Sequence, residues 1–227
     1  MGTAREGKPN TRESNRRMSV ADSLQQVAAE VNGCTRCPLA RGRTRAVPGE
    51  GAPQADIMFI GEGPGFHEDQ SGRPFVGAAG NFLEELLAGI GLTREQVYIT
   101  NVVKCRPPGN RDPEPQEIRA CSDYLERQIE LINPKVIVTL GRFSMARWFP
   151  SARISRIHGQ ARQVGSRLIV PFFHPAAALH QPSLRQAVEE DFGKLPGYVA
   201  QAPAGRVPEQ AEDEAPPDEG FEQLSLF

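Results

Sequence analysis

The sequence predicts an α/β protein: a three-layer α/β/α sandwich with a central, mainly parallel four-stranded sheet. Three observations lead there. Short apolar runs at 56–60, 97–100, 136–140 and 168–172 alternate with segments whose apolar residues recur at helical spacing, and strands that alternate with helices build parallel sheets. The first run, Ile57-Met58-Phe59-Ile60, is apolar at every position, the pattern of a strand buried on both faces. Three of the runs end in polar or turn-forming residues: Gly61-Glu62-Gly63-Pro64-Gly65, Asn101, and His174-Pro175. In open α/β sheets ligands bind beyond the carboxyl ends of the strands, so these residues mark one edge as the place to look for chemistry.

The elements follow in order. Residues 1–20 are polar and charged and read as a disordered N-terminal tail. Asp22 or Ser23 caps a helix running to about Val31, with Leu24, Val27 and Val31 on one face. Gly33 ends it. The strand at 56–60 runs into three glycines and a proline, which supply backbone angles closed to other residues. A loop, Gly72-Arg73-Pro74-Phe75-Val76-Gly77, precedes a helix at 80–90 carrying Phe82, Leu83, Leu86, Leu87 and Ile90. The second strand ends at Asn101, and a loop holds Lys104-Cys105-Arg106-Pro107-Pro108. A helix at 114–132 starts with Pro115 and contains Cys121. The third strand closes at Gly141, a short helix holds Met145, Trp148 and Phe149, and the last helix spans 184–195. This places the folded domain at 21–198. Residues 199–227 read as a flexible acidic tail.

No apolar run approaches membrane-spanning length, and no apolar leader follows the N-terminus. A cytoplasmic chain with no membrane partner is expected, acting as a monomer. The net charge of −2 is uneven: one Arg and seven Asp or Glu from Tyr198 onward account for −6, so the body carries +4. That balance permits nucleic-acid binding without requiring it. The four cysteines are Cys34, Cys37, Cys105 and Cys121. Cys34-x-x-Cys37 is a close pair and the other two stand apart, which suggests a metal site rather than disulfides in a cytoplasmic chain. Spacing leaves zinc and an iron–sulfur cluster both open.

Four motifs become specific together. Gly61-Glu62-Gly63-Pro64-Gly65, Gly72-Arg73-Pro74-Phe75-Val76-Gly77, Ile99-Thr100-Asn101-Val102-Val103-Lys104-Cys105-Arg106-Pro107-Pro108 and Phe173-His174-Pro175, in that order, resemble the family 4 uracil-DNA glycosylases, the iron–sulfur members of that superfamily. The resemblance covers roughly residues 24–197. It implies that Cys34, Cys37, Cys105 and Cys121 bind a structural [4Fe-4S] cluster, and that the partner is uracil-containing DNA in base-excision repair.

The resemblance also distributes roles. Uracil must leave the duplex to be reached. Phe75 matches the stacking phenylalanine, and Asn101 the asparagine that pairs with uracil O4 and N3–H. His174 matches the histidine that donates to uracil O2. Gly61 and Gly63 belong to the pocket turn, and Gly63 stands where another family of the superfamily places an aspartate. Glu62 is therefore the expected group for positioning water or stabilising the cationic sugar. Glu68 falls where a side chain would crowd C5 and exclude the thymine methyl. His174-Pro175-Ala176-Ala177-Ala178-Leu179 resembles the loop that enters the minor groove, with Leu179 as the wedge. Lys104 and Arg106, with Arg111 and Arg185, are expected to touch phosphates.

Gln223-Leu224-Ser225-Leu226-Phe227 resembles the short peptide by which bacterial repair proteins hold the sliding clamp, with Gln223, Leu224, Leu226 and Phe227 as its contacts. Two rival readings stand beside the enzyme. One is an iron–sulfur module that binds uracil-containing DNA without excising the base. The other is a nucleotide-binding α/β protein, disfavoured because the glycine turn lacks both G-x-G-x-x-G spacing and a P-loop lysine.

Overall fold

The computed structural model describes residues 18–203. The chain opens with helix α1 (Val20–Gly33), a single turn α2 (Leu39–Gly42) and a two-residue strand β1 (Glu50–Gly51). Strand β2 (Ile57–Gly61) leads into α3 (Phe66–Ser71) and α4 (Ala78–Gly89). Strand β3 (Tyr98–Asn101) is followed by the long α5 (Pro115–Ile132), β4 (Val136–Leu140), α6 (Arg142–Ala146) and α7 (Ile154–Ile157). Strands β5 (Arg162–Val164) and β6 (Arg167–Phe172) precede α8 (Pro175–His180), α9 (Arg185–Gly193) and α10 (Leu195–Gln201).

The sheet runs β1-β3-β2-β4-β6-β5. Its four central strands are parallel, as the apolar runs predict. The expectation of four strands needs correcting, because β1 and β5 add an antiparallel strand at each edge. Neither has an apolar pattern to read: β1 is Glu-Gly, and β5 is exposed throughout. Backbone pairing, not burial, makes them strands.

Side chains alternate across each central strand and fill two cores. Met58, Ile60, Ile137 and Ile169 pack with α1 and α5 on one face. Ile57, Phe59, Val138, Val170 and Phe172 pack with α4 and α9 on the other. Phe59 and Phe192 stack at 5.7 Å. These are the three expected layers. The chain leaves β2 for β3 on one side and returns to β4 on the other, so a crevice opens at the carboxyl ends where the order reverses.

Local boundaries differ from the sequence reading in four places. Ser19, not Asp22 or Ser23, caps α1, and Asp22 closes the capping box from its third position. Helix α3 occupies a stretch to which the sequence reading gave no element, and α8 one that it read as a loop. Helix α10 carries ordered chain to Gln201, past the expected boundary at 198. It does so because Tyr198 and Val199 pack on the second core and the Tyr198 hydroxyl donates to the Gly159 carbonyl at 2.6 Å. Residues 1–17 and 204–227, including Gln223, Leu224, Leu226 and Phe227, lie outside the described residues. Among the described residues no helix is long and apolar enough to cross a membrane.

Lys104 also departs from expectation. It is 1% exposed, and its ammonium donates to Thr100 Oγ1 (2.6 Å), the Asn101 carbonyl (2.8 Å) and Gln128 Oε1 (2.7 Å). Gln128 in turn donates to the Pro48 carbonyl at 2.8 Å. The lysine thus ties β3 to α5 beneath the strand end and does not reach a phosphate. Lys104→Met takes the lysine donor from three buried acceptors, of which Gln128 Oε1 keeps the Thr100 hydroxyl at 3.3 Å, so it is expected to cost about 2 kcal/mol of stability. A surface lysine would change stability by less than about 0.5 kcal/mol. Urea unfolding separates the two.

Candidate active site

Glu62, Asn101 and His174 stand at or just past the carboxyl ends of β2, β3 and β6, and they border one cavity of about 480 Å³; Gly61, the last residue of β2, lies behind that wall. That volume suits a small-molecule or single-base site. Glu62, Gly63, Pro64, Gly65, Phe75 and Asn101 form much of its wall, and His174 with α8 closes it. The turn after β2 is fixed to the segment after β3: Val102 N–H donates to the Gly61 carbonyl (3.0 Å) and Val103 N–H to that of Glu62 (3.1 Å).

Gly61 is demanded by close approach. A β-carbon there would run into Asn101 Oδ1 and lie 2.7 Å from Phe75 Cζ. The missing side chain is what lets the amide and the aromatic ring meet at the cavity. A β-carbon at Gly63 would come within 2.7 Å of Val103 Cγ2. Asn101 itself is buried, and its Oδ1 has no hydrogen-bond partner. A buried acceptor without a donor costs about 1–3 kcal/mol. Here it borders a cavity a ligand can enter.

Phe75 is 5% exposed and stacks on His174, with centroids 5.4 Å apart and planes 23° from parallel. Its backbone is left-handed, with φ of 52°, which is costly for a bulky residue. Two charged groups hold it there. Arg94, 8% exposed, donates to the Phe75 carbonyl (2.8 Å) and the Pro74 carbonyl (2.5 Å). Glu50 on β1 balances its charge at 2.7 Å, and Arg73 joins the same carboxylate at 2.8 Å. From the other side, Glu68 Oε1 accepts from the Val76 and Gly77 amides at 3.1 and 3.3 Å, while Oε2 accepts from Gly65 N–H at 3.1 Å. Gly80 lacks the β-carbon that would collide with the Phe75 carbonyl. Glu68 therefore lines the cavity with both oxygens engaged, and its visible work is bracing. Sequence reasoning missed Arg94 and Glu50 altogether. Thr93 and Gln96 signal the cap of a short turn around Arg94, but nothing local says what the guanidinium grips.

His174 lies at the cap of α8, where its Nδ1 accepts from Ala176 N–H at 3.1 Å. Desolvation drives its pKa down to about 4, with Glu68 opposing weakly. The ring is neutral at pH 7. A neutral imidazole whose Nδ1 accepts must carry its proton on Nε2. Glu62 is half-buried, and among the described residues its carboxylate has no hydrogen-bond partner. Burial raises its pKa, the Asp112 charge raises it further, and Arg142 opposes.

The cationic residues divide. Arg106 is partly buried, anchored through Nε to Asn110 Oδ1 at 2.7 Å, with its guanidinium 5.1 Å over the Phe66 ring. Arg111 is paired with Glu117 (2.7 Å) and Arg185 with Glu189 (2.8 Å). Leu179 is 41% exposed on α8, the helix that closes the cavity.

The cysteines gather at the side of the first core. Cys105 and Cys121 are buried in it, and Cys34 and Cys37 pack against it. Burial raises the Cys105 and Cys121 thiols, and neighbouring cysteine charges raise both further. Three of the sulfurs accept N–H bonds: Cys34 from Arg36 N–H (3.5 Å), Cys105 from Arg43 Nη1 (3.1 Å) and Cys121 from Lys104 N–H (3.3 Å). Among the described residues no three His, Cys, Asp or Glu side chains converge on a point that could hold a metal ion.

Comparison with known proteins decides the family. The model of the uracil DNA glycosylase superfamily matches residues 48–194. The chain belongs to that superfamily. It is 53% identical to the type-4 uracil-DNA glycosylase of Sulfurisphaera tokodaii over 184 residues, covering 77% of this chain and 84% of that one. It is 49% identical to the type-4 enzyme of Archaeoglobus fulgidus over 183 residues (77% and 92%) and 45% identical to that of Thermotoga maritima over 188 (80% and 98%). The superfamily match spans β2 through α9 and so contains every wall of the cavity.

The bracing of Phe75 in this superfamily member yields a test. Arg94→Lys keeps a charge beside Glu50 but cannot serve two carbonyls and a carboxylate from one planar fork. It is expected to lower unfolding stability by about 2 kcal/mol and to speed hydrogen exchange at the Val76 and Gly77 amides. Urea titration and amide exchange measure the two effects.

Proposed function

We propose that the chain is a monofunctional uracil-DNA glycosylase that flips uracil out of DNA, hydrolyses its N-glycosidic bond and leaves an abasic site for base-excision repair. The observation that carries the reading is Asn101 Oδ1, a buried acceptor with no donor, bordering a cavity of single-base size.

The chemistry follows from the groups at hand. A flipped uracil slides its face along Phe75 and presents N3–H to Asn101 Oδ1. Cytosine has a lone pair at N3 instead, so it would set acceptor against acceptor and leave the amide unpaired. As the C1′–N1 bond breaks, its electron pair leaves with the base and collects on N1 and O2. Nε2–H of neutral His174 is the donor aimed at O2. One preorganised donor of this kind is worth roughly 3 kcal/mol of barrier. Positive charge builds on the sugar, and the unpartnered Glu62 carboxylate is the group available to stabilise it. Water adds to C1′, and Glu62 is the acceptor for its proton. Gly61 and Gly63 keep the turn narrow enough for these groups to meet, and Glu68 and Arg94 hold the stacking ring. Leu179 is read as the wedge that fills the vacated stack.

The cysteine set supports a [4Fe-4S] cluster held by Cys34, Cys37, Cys105 and Cys121. A single zinc ion needs its ligands to converge on one point. A cubane spreads four thiolates over four irons, and N–H···S bonds suit sulfurs that carry charge. The cluster would cross-link the end of α1, the loop after β3 and helix α5, with no part in the bond cleavage. The C-terminal residues Gln223, Leu224, Leu226 and Phe227 are read from sequence as a sliding-clamp hook at the end of the acidic stretch 204–227. A cytoplasmic monomer is the corresponding setting.

A single-uracil oligonucleotide, with thymine and cytosine controls, tests the activity directly: alkali cuts any abasic product and a gel sizes it. Uracil-dependent cleavage that disappears in His174→Ala is expected. Intact strands from folded protein that still binds uracil DNA would instead leave a binding module. The pH profile tests Glu62. The carboxylate is the working form and its pKa lies above the ordinary 4.5, so kcat/KM should fall toward acid through a limb above that value. Asp112→Asn should move the limb down and Arg142→Ala up. Glu62→Gln should abolish the limb and slow single turnover by roughly 10²–10⁴-fold. For the cluster, Cys121→Ser is expected to lose iron and acid-labile sulfide and to lower the thermal midpoint.

A further inference from the structure

Four large apolar side chains are exposed among the described residues: Met18, Phe66, Val164 and Leu179. Two of them adjoin the cavity. Leu179 is on α8, whose Ala176, Ala177 and His180 line it. Phe66 follows the lining residue Gly65, opens α3 and is 51% exposed. The glycosylase mechanism uses no aromatic ring at this place. An isolated exposed Phe would need no explanation, but Phe66 is not isolated.

Arg106 lies over its ring at 5.1 Å, and His67 meets it edge-on at 5.5 Å. Arg106 is itself fixed through Nε to Asn110, which also lines the cavity. Among the described residues no carboxylate pairs with Arg106, whereas Arg111 is held by Glu114 and Glu117, and Arg142 by Asp112. An oriented aromatic face and an unneutralised guanidinium therefore stand together at the rim. An aromatic surface accepts a nucleobase and a free guanidinium accepts a phosphate. A nucleotide carries both at this spacing.

We propose that Phe66 and Arg106 form a platform for the nucleotide adjoining the flipped uracil, its base stacked on Phe66 and its phosphate met by Arg106. The inference rests on the glycosylase reading for the place of the uracil. It differs from the wedge role of Leu179: the wedge fills the gap left by the extruded base, whereas the platform holds a neighbour that stays outside the pocket. Because the platform needs an unstacked neighbour, it favours uracil in single strands and at frayed or mismatched positions.

The test uses the full chain and fluorescence anisotropy with a single-stranded oligonucleotide whose uracil carries a 2′-fluoro sugar, so that binding is read without cleavage. The bases 5′ and 3′ of the uracil are replaced one at a time by an abasic tetrahydrofuran spacer. Phe66→Leu, which keeps apolar bulk and removes the stack, is expected to weaken binding to the ordinary strand by about ten-fold. That loss should vanish when one particular spacer removes the stacking neighbour. Phe66→Trp should bind as the unaltered protein does, and Arg106→Gln should flatten the salt dependence by about one unit of slope. Equal affinity of Phe66→Leu and unaltered protein on the ordinary strand would overturn the platform. So would a loss that persists with both spacers, or no binding of this DNA at all. Circular dichroism confirms folding, which an exposed side chain should not disturb. Excision is scored separately on the unmodified uracil strand. Spacer-dependent binding without excision would sink the glycosylase reading and keep the platform; excision with no spacer dependence would do the reverse.

Discussion

The site depends on one strained residue. Phe75 sits in a left-handed backbone conformation that costs of order 1–3 kcal/mol for a side chain of its kind. The cost is met by four hydrogen bonds to the backbone of residues 74–77, two from Arg94 and two to Glu68. Each end of the loop is thus gripped by an ion of the sign its backbone groups attract: a cation on carbonyls, an anion on amides. Glu50 and Gly80 are consequences of the same need. The first balances the buried guanidinium from the sheet edge, and the second lets α4 begin against the Phe75 carbonyl. Even Gly61 belongs here, because the ring so placed leaves no room for a β-carbon beside it.

What the sequence revealed and what it hid divides along that line. The four central strands were legible because both faces are largely buried and each carries a short run dominated by apolar residues, unbroken in β2 and interrupted by Thr100 in β3 and Thr139 in β4. Their carboxyl ends were legible because the chain must turn there, and it turns with Gly, Asn or His-Pro. Hence Glu62, Asn101 and His174 were found from pattern and from resemblance alike, and they border the same cavity. The edge strands were not legible, since backbone pairing leaves no side-chain period. Nor was the bracing of Phe75. Arg94 lies nineteen positions from the carbonyl it grips, and Glu50 forty-four from Arg94. Both look in sequence like ordinary surface charges.

Lys104 and Arg106 show the same limit in reverse. Two residues apart in one loop, both read as phosphate contacts. Chain geometry sends Lys104 inward to three acceptors and leaves Arg106 at the rim over an aromatic ring. The overall positive charge of the body says little about which cations meet DNA. Arg36, Arg73, Arg94, Arg111, Arg127 and Arg185 are all spent on carboxylates within the fold. A count of basic residues measures what the chain contains, while affinity for phosphate depends on what the fold leaves unpaired.

The pocket carries this selectivity about charge into its chemistry. Cleaving an N-glycosidic bond separates charge along one direction, positive at the sugar and negative at the base. A fixed cation beside the base would help the leaving group but would also hold other anions in the resting pocket. In the mechanism proposed above a neutral His174 avoids that: its Nε2–H is a dipole, with the ring held by the Nδ1 bond to Ala176 and kept uncharged by desolvation. In the same mechanism Glu62 supplies the opposite pole as a charge, with no hydrogen-bond partner among the described residues and the Arg142 charge opposing it. The fold thus spends its desolvation on both groups in the sense the reaction needs. It withholds the proton from the histidine, and it holds the carboxylate in a half-buried position where its field is strong. On the proposed mechanism the dipole and the anion, both fixed before substrate arrives, act on opposite ends of the bond to be broken.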